Sequence, residues 1–135
     1  MIARDSQIYK DTFVLANYIF DVTAKMNNIF KPTIARRMEN SVLELAKIII
    51  RANSNLAERV EILGGAFTEE YENLQFLINL AFERKQVSYR QQAHLARLMT
   101  GIGKQATAWK RSAENKRKMI KGPLESTDKG IDSSY

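Results

Sequence analysis

The sequence has no cysteine and only one histidine among its 135 residues, with two prolines and six glycines. Without cysteine the chain has no disulfide framework, no thiolate zinc site and no cysteine nucleophile. His94 alone cannot supply a two-histidine metal motif and leaves little for acid–base chemistry. No apolar run approaches the roughly 18 residues that cross a bilayer, and Asp5, Asp11 and Asp21 make the N-terminal pattern unlike a signal peptide. We therefore expect a cytoplasmic protein with no cofactor, no metal site and no membrane partner.

Positive charge is concentrated near the C-terminus. The chain has 21 Lys and Arg residues against 15 Asp and Glu, a formal net charge of +6. Residues 110–121 contain six of the cations and a single acid, Glu114, so this segment carries +5 of that charge. A basic balance favours an anionic partner, whereas a charge run near a terminus is also typical of a solvated tail. Composition leaves both interpretations open.

Apolar residues recur at three- and four-residue steps in four long segments, which is the spacing of one helical face. Ser6 is the predicted N-cap of the first helix, and Lys31-Pro32 separates it from the second. Gly64-Gly65 either kinks the third helix or divides it in two, and the pattern does not decide. Ser88 with Gln91 resembles a capping box at the start of the fourth.

These segments predict an all-α, antiparallel up-down-up-down four-helix bundle, because the connections between them are short. We place the bundle at residues 1–113. The apolar period stops beyond Ser112, so we expect residues 114–135 to form a basic and then flexible C-terminal tail.

No group of residues in the sequence points to catalysis. Glu69 and Glu70 are adjacent, so their side chains diverge by about 100° on a helix. A dimetal site needs Glu-x-x-His on two helices, but Gln91 stands three residues before His94. Gly101-x-Gly103 follows no strand and lacks the spacing of a phosphate loop, so we expect its small residues to permit close helix packing. The sequence therefore indicates a protein that is not an enzyme.

Cations recur at seven-residue intervals along the fourth helix. Arg90, Arg97, Lys104 and Arg111 share one face, which drifts only about 20° per heptad and extends roughly 30 Å. Such a stripe suits a phosphate backbone, which it would position without reading sequence; no aromatic row on this face suggests base stacking. The same residues would also suit ordinary exposed positions paired with glutamates on the third helix. With their neighbours, the candidate nucleic-acid-binding residues are Arg84, Lys85, Arg90, Arg97, Lys104, Lys110, Arg111, Lys116, Arg117 and Lys118.

Most of the aromatic residues Phe13, Phe20, Tyr71, Phe76 and Phe82 are expected in the core. Tyr9, Phe20, Phe30 and Phe76 nevertheless lie partly outside the narrow apolar faces. An over-wide apolar surface on a small bundle is a usual sign of subunit contact. We therefore expect the chain to form homo-oligomers.

The helical patterns resemble a known family. Residues 37–40 read RMEN and residues 51–53 read RAN in the second helix, while residues 94–98 read HLARL and residues 101–103 read GIG in the fourth, followed by Trp109. This pattern, over roughly residues 7–112, is similar to the accessory variability determinant of diversity-generating retroelements. It is also similar to the related four-helix proteins encoded in intervening sequences of 23S ribosomal RNA genes.

The resemblance implies a homopentameric barrel whose basic surface binds RNA or DNA and whose partner is a reverse transcriptase. In that setting the chain would be a non-catalytic accessory subunit that supports mutagenic copying of a template RNA into cDNA. One departure from the family lies at residues 29–35, where only a displaced Lys-Pro remains and Ala35 replaces a glycine. The alternative is a structural oligomeric bundle of the intervening-sequence type, acting as a protein–protein interaction module.

Overall fold

A computed structural model describes residues 6–129 of the chain, with side chains described for residues 6–120. These residues form helices and no strand: α1 (Gln7–Ala24), α2 (Arg36–Ser54), α3 (Arg59–Gly64), α4 (Ala66–Glu83) and α5 (Tyr89–Lys129). A 3₁₀ turn at Asn28–Phe30 and a π-helical turn at Lys31–Ala35 connect α1 to α2. Since α3 and α4 are consecutive parts of one helical arm, the described chain has the four helical arms that the sequence predicts.

Contacts between the arms show that neighbours run antiparallel. Asp11 of α1 accepts a hydrogen bond from Gln105 of α5 at 2.6 Å, whereas Tyr18, further along α1, packs edge-on against His94, earlier in α5. The same reversal of order holds where α4 meets α5. Helix α1 contacts α2 and α5, and α4 contacts the same two helices, so the arms form a closed up-down-up-down ring.

The core lies along the axis of this ring and contains one apolar stripe from each arm. Its largest fully buried apolar side chains come from α1, α2, α4 and α5: Leu15, Ile19, Met38, Val42, Leu45, Ile49, Leu74, Leu95, Met99 and Ile102. The buried hydroxyls are hydrogen-bonded, as polar groups in a core must be. Thr23 donates to Glu39 and Ser41 donates to Glu70, each at 2.6 Å, and these bonds also join α1 to α2 and α2 to α4.

Helix starts follow the predicted capping residues. The Ser6 hydroxyl accepts a hydrogen bond from the backbone N–H of Tyr9 at 3.3 Å. At the start of α5 the Gln91 N–H donates to the Ser88 hydroxyl at 3.1 Å, and the Ser88 N–H donates to the Gln91 side chain at 2.9 Å. This reciprocal pair confirms the predicted capping box.

The glycine pair divides the third arm in two. Helix α3 ends at Gly64, and Gly65 has φ −105° and ψ −87°, outside the helical region. A Cβ atom at residue 65 would lie 3.0 Å from the carbonyl oxygen of Glu61, which is backbone and cannot turn aside. The chain therefore changes direction at a residue that has no side chain to clash.

Helix α5 does not end where the apolar period ends. It runs on through Ser112 to Lys129, so residues 114–120, predicted to begin a basic and then flexible tail, are helical. Lys110 pairs with Glu114 one turn later at 3.3 Å, and Arg117 holds this part of α5 to α3. Because these contacts are polar, the spacing of apolar residues could not predict that the helix continues. The side chains of residues 121–129 and the whole of residues 130–135 lie outside the described part, and their predicted flexibility stays a prediction.

The two glycines of α5 predict opposite effects of one substitution. A Cβ at Gly103 would lie 2.6 Å from the Tyr71 hydroxyl oxygen, whereas a Cβ at Gly101 would meet nothing within 4 Å. The expected role in close helix packing thus holds for Gly103 and not for Gly101. Gly101→Ala should raise the free energy of unfolding by about 0.5–1 kcal/mol through helix propensity. Gly103→Ala should lower it, because Tyr71 must move. Urea unfolding followed by circular dichroism measures both, and an equal gain from the two variants would contradict this packing.

Candidate nucleic-acid interface

The predicted cation stripe occupies the outer face of α5. Leu95 and Ile102 of this helix are buried, which turns the residues on the opposite face toward solvent. Successive members of the stripe lie about 10.5 Å apart, given the 1.5 Å rise per helical residue. All five cations at this spacing are exposed, and we call them the basic stripe: Arg90, Arg97, Lys104, Arg111 and Lys118. Their contact with nucleic acid stays a prediction.

No cation of the basic stripe forms an ion pair with an acid among residues 6–120, although Glu72 and Glu114 line the same hollow as Lys104 and Arg111. Arg90, Arg97, Lys104 and Arg111 form no ion pair among residues 6–120, so the predicted alternative of pairing with glutamates is not seen for them. The sequence from Tyr89 to Ala113 contains no acid at all. Small side chains stand between the cations, among them Ala96, Thr100 and Ala108. A phosphate backbone can therefore approach the charged groups closely.

Other predicted cations are already engaged with acids. The Arg117 guanidinium donates to both carboxylate oxygens of Glu61, at 2.8 and 3.0 Å, and to the carbonyl oxygen of Ala57. Its hydrogen bond with Glu61 raises the pKa of Arg117 above the ordinary value. Lys110 pairs with Glu114. A phosphate would have to compete with these carboxylates, whereas Lys116 is exposed beside them.

A second group of cations lies at the end of the bundle where α5 begins. The Asn27 N–H donates to the side-chain oxygen of Gln86 at 2.8 Å, which brings the α1–α2 connection against the α4–α5 turn. Two predicted residues, Arg84 and Lys85, are exposed on that turn. The facing connection adds Lys25 and Lys31, which the sequence analysis missed because 59 and 53 positions separate them from Arg84 along the chain. Only the tertiary fold groups these four cations, which we call the end cluster.

Lys85 adopts a backbone conformation that usually belongs to glycine. Its φ is 63°, the left-handed region, and it is the one non-glycine with positive φ among the described residues. The Gln86 N–H donates to the carbonyl of Ala81 at 2.8 Å and the Lys85 N–H to that of Phe82 at 2.9 Å, as in a Schellman cap. The chain thus places a charge where a neutral glycine would be the more stable choice.

Two residues of the family-like pattern have structural contacts. Glu39 accepts the hydrogen bond from Thr23, and the Trp109 ring lies beneath the Arg59 guanidinium at 5.1 Å. Arg59 also donates to the carbonyls of Ala52 and Asn53 at the end of α2, each at 2.8 Å. Burial lowers the pKa of Arg59 from its ordinary value. These contacts join the end of α2 to α3 and α5.

The acidic residues form no reactive site. Glu69 is exposed, whereas Glu70 accepts hydrogen bonds from Ser41 and Asn73, so the adjacent pair diverges as expected. Within residues 6–120 no three His, Asp or Glu side chains are arranged to hold a metal ion. None of the helices described there is long and apolar enough to cross a membrane.

The comparisons with known proteins identify a family for this chain. No curated protein matches this chain. The sequence model of the bAvd-like family, the bacterial accessory variability determinants, matches residues 7–113. The matched range begins with α1 and includes every arm of the bundle, and it confirms the resemblance noted from the helical patterns. Since the match covers well over half of its length, this chain belongs to the bAvd-like family.

Proposed function

We propose that this protein is a non-catalytic accessory subunit of a diversity-generating retroelement. In this role it binds template RNA or its cDNA, contacts a reverse transcriptase in the cytoplasm, and supports mutagenic reverse transcription. Family membership supports the accessory role. The observation that carries nucleic-acid binding is the basic stripe, an exposed line of cations that form no ion pair with an acid among residues 6–120.

The basic stripe acts through counterion release. Each phosphate that a cation neutralises frees condensed counterions, so affinity falls with salt by about 0.7–0.9 logarithmic units per contact. The end cluster continues the positive surface beyond Arg90, because Arg84 and Lys85 precede it by only a few residues. Together these groups would hold a nucleic acid along the whole side of the bundle and around one end.

An apolar seam supports the proposed homo-oligomer. Phe13 and Phe20 of α1 are 63% and 41% exposed, and Leu43 and Ile50 of α2 are 52% and 44% exposed. Phe13 is therefore not in the core, contrary to expectation. The Thr23–Glu39 bond marks the facing sides of these antiparallel helices, so the helical spacing brings Phe20 level with Leu43 and Phe13 level with Ile50. We call these four residues the apolar seam.

The four aromatic residues that the sequence analysis assigned to subunit contact differ in exposure: Phe20 and Phe76 are exposed, whereas Tyr9 and Phe30 are half-buried. Phe20 belongs to the apolar seam, and Phe76 is 64% exposed on α4 and not in the core. Arg84 covers the ring of Phe30 at 5.6 Å. We propose that subunits, five in a closed barrel, meet through the apolar seam. Since α2 and α5 lie at diagonal corners of the bundle, this seam leaves the basic stripe uncovered.

The second candidate function is a structural oligomeric bundle that binds only protein. The observation in its favour is the same apolar seam, which needs a covering partner but not a nucleic acid. The two functions differ in a single measurable property, the salt dependence of RNA binding. A purely structural bundle shows no salt-dependent binding of RNA.

Charge reversal on the basic stripe tests the proposed function. Arg90→Glu, Arg97→Glu and Lys104→Glu together should weaken binding of structured RNA at least tenfold and reduce the salt slope by about two to three. The matched control, Arg36→Glu, Lys47→Glu and Arg51→Glu, changes the net charge equally at exposed positions of α2. Fluorescence anisotropy over a salt titration measures both. Equal losses in the two triple variants would show that net charge, and not the basic stripe, governs binding.

Lys85→Gly separates stability from binding. Glycine adopts the positive φ of residue 85 without strain, so the free energy of unfolding should rise by about 0.5–1 kcal/mol while RNA affinity falls. Lys85→Asn, which also removes the charge and tolerates this conformation, should lose the same affinity. Thermal unfolding and anisotropy provide the two readouts. A less stable Lys85→Gly variant would refute the strain assigned to this residue.

Substitutions in the apolar seam test the oligomer. Phe20→Glu with Leu43→Glu should reduce the molar mass measured by light scattering to that of a monomer while helical content is kept, since both side chains are exposed within one protomer. Leu56→Glu, 72% exposed in the α2–α3 connection, is the control and should keep the assembly. A double variant with unchanged mass would place the subunit contact elsewhere.

A further inference from the structure

A small cavity lies between α4 and α5, next to the start of the basic stripe. Its volume is about 270 Å³. Tyr89, the first residue of α5, lines it with a ring that is 79% exposed, and the buried side chains of Ile78 and Met99 form its apolar floor. The volume is just below the roughly 300 Å³ at which pockets for drug-sized ligands begin. The cavity therefore suits one flat ring system.

Amide side chains give this cavity a polar edge. Asn79 and Gln92, on opposite helices, join through a hydrogen bond of 3.3 Å from the Gln92 nitrogen to the Asn79 oxygen. Their remaining groups, the Asn79 NH₂ and the Gln92 carbonyl, offer a donor and an acceptor to a ligand. Gln75 adds a further amide to the lining. An aromatic wall with amide donors and acceptors is the chemistry that recognises an unpaired nucleobase, by stacking on its face and hydrogen bonding to its edge.

The cavity also opens toward phosphate-binding groups. Ala96 lines it and also lines the adjoining hollow, which contains Arg97 and Lys104 of the basic stripe. Arg90 directly follows Tyr89 in the chain. Between the cavity and the basic stripe stand Ala93 and Ala96, whose side chains are short. A base inserted beside Tyr89 would thus have cations within reach of the phosphates of its own strand.

We propose that this cavity, the base pocket formed by Tyr89, Asn79, Gln92 and Gln75, holds one unpaired nucleobase of the bound nucleic acid. The inference rests on the proposed function and deepens it, because it names the preferred substrate: a structured nucleic acid with an unpaired or splayed nucleotide. The basic stripe supplies affinity along the backbone. The base pocket distinguishes an interrupted duplex from a fully paired one.

The test uses two RNA duplexes that differ in one nucleotide. One contains a single unpaired 2-aminopurine, and in the other the same 2-aminopurine is paired. We expect the full chain to bind the interrupted duplex about tenfold more tightly, since stacking on one aromatic residue favours binding by about that factor. We also expect protein binding to quench the fluorescence of the unpaired base only. Equal affinities and equal quenching for the two duplexes would overturn the base pocket.

Variants assign the preference to the ring of Tyr89. Tyr89→Ala should bind both duplexes equally and keep the salt slope of the wild type, while Tyr89→Phe should keep the preference. Phe76→Ala, an exposed aromatic of α4 outside the cavity, is the matched control and should also keep it. A preference that survives Tyr89→Ala contradicts the proposal. So does a change in the oligomer mass on this substitution, which would make the cavity a protein contact.

Failure of this inference and failure of the proposed function are distinguishable. Salt-sensitive binding of both duplexes with equal affinity would reject the base pocket and leave the basic stripe intact. Absence of salt-sensitive RNA binding would reject the proposed function itself, and the base pocket with it. Asn79→Leu provides a second, independent variant: it removes the amide donor while Tyr89 remains, and should lower the preference without changing the salt slope.

Discussion

The burial of one face of α5 against the other arms determines most of the surface chemistry of this protein. Leu95, Met99, Ile102 and Ala106 are packed into the core, which fixes the rotation of the helix about its axis. Once that rotation is fixed, residues at the seven-residue spacing of the cations must point to solvent. The basic stripe is therefore a consequence of core packing. Any change that rotated α5 would also turn its cations away from a ligand.

Polar contacts between the arms set their register along the axis. Tyr71 of α4 lies against Gly103 of α5 and donates to the carbonyl oxygen of Met99 at 2.6 Å. Burial raises the pKa of the Tyr71 phenol above its ordinary value, which favours the protonated hydroxyl that donates this hydrogen bond. Since the base pocket opens between the same two helices, its shape depends on this contact. The Thr23–Glu39 and Ser41–Glu70 bonds act in the same way on the other sides of the ring.

The bundle separates two kinds of surface. Apolar side chains are exposed where α1 meets α2, whereas the cations are exposed on α5, which lies diagonally across the bundle from α2. A subunit that assembles through the apolar seam therefore keeps its basic stripe free. In the proposed function this division allows several copies to present their cations together, so that a long nucleic acid would meet a repeated positive surface. The end cluster and the base pocket lie at the end of the bundle where the basic stripe begins.

Apolar periodicity, short connections and the capping residues Ser6 and Ser88 were sufficient to predict the four helical arms, their antiparallel order and their starts, because each of these signals is local in the sequence. The seven-residue repeat likewise placed the cations of α5 on one face. Periodicity could not show that Arg117, 56 residues after Glu61, binds it. Nor could it show that the α1–α2 connection, with Lys25 and Lys31, lies against the α4–α5 turn. It also assigned Phe13 to a core from which the structure excludes it. Sequence by itself thus determined the helices and which cations share a face, because helical spacing is local. Only the tertiary structure decided that this face is the outer one, and only it decided the end cluster, the apolar seam and the base pocket, since each of these needs residues that distant parts of the chain bring together.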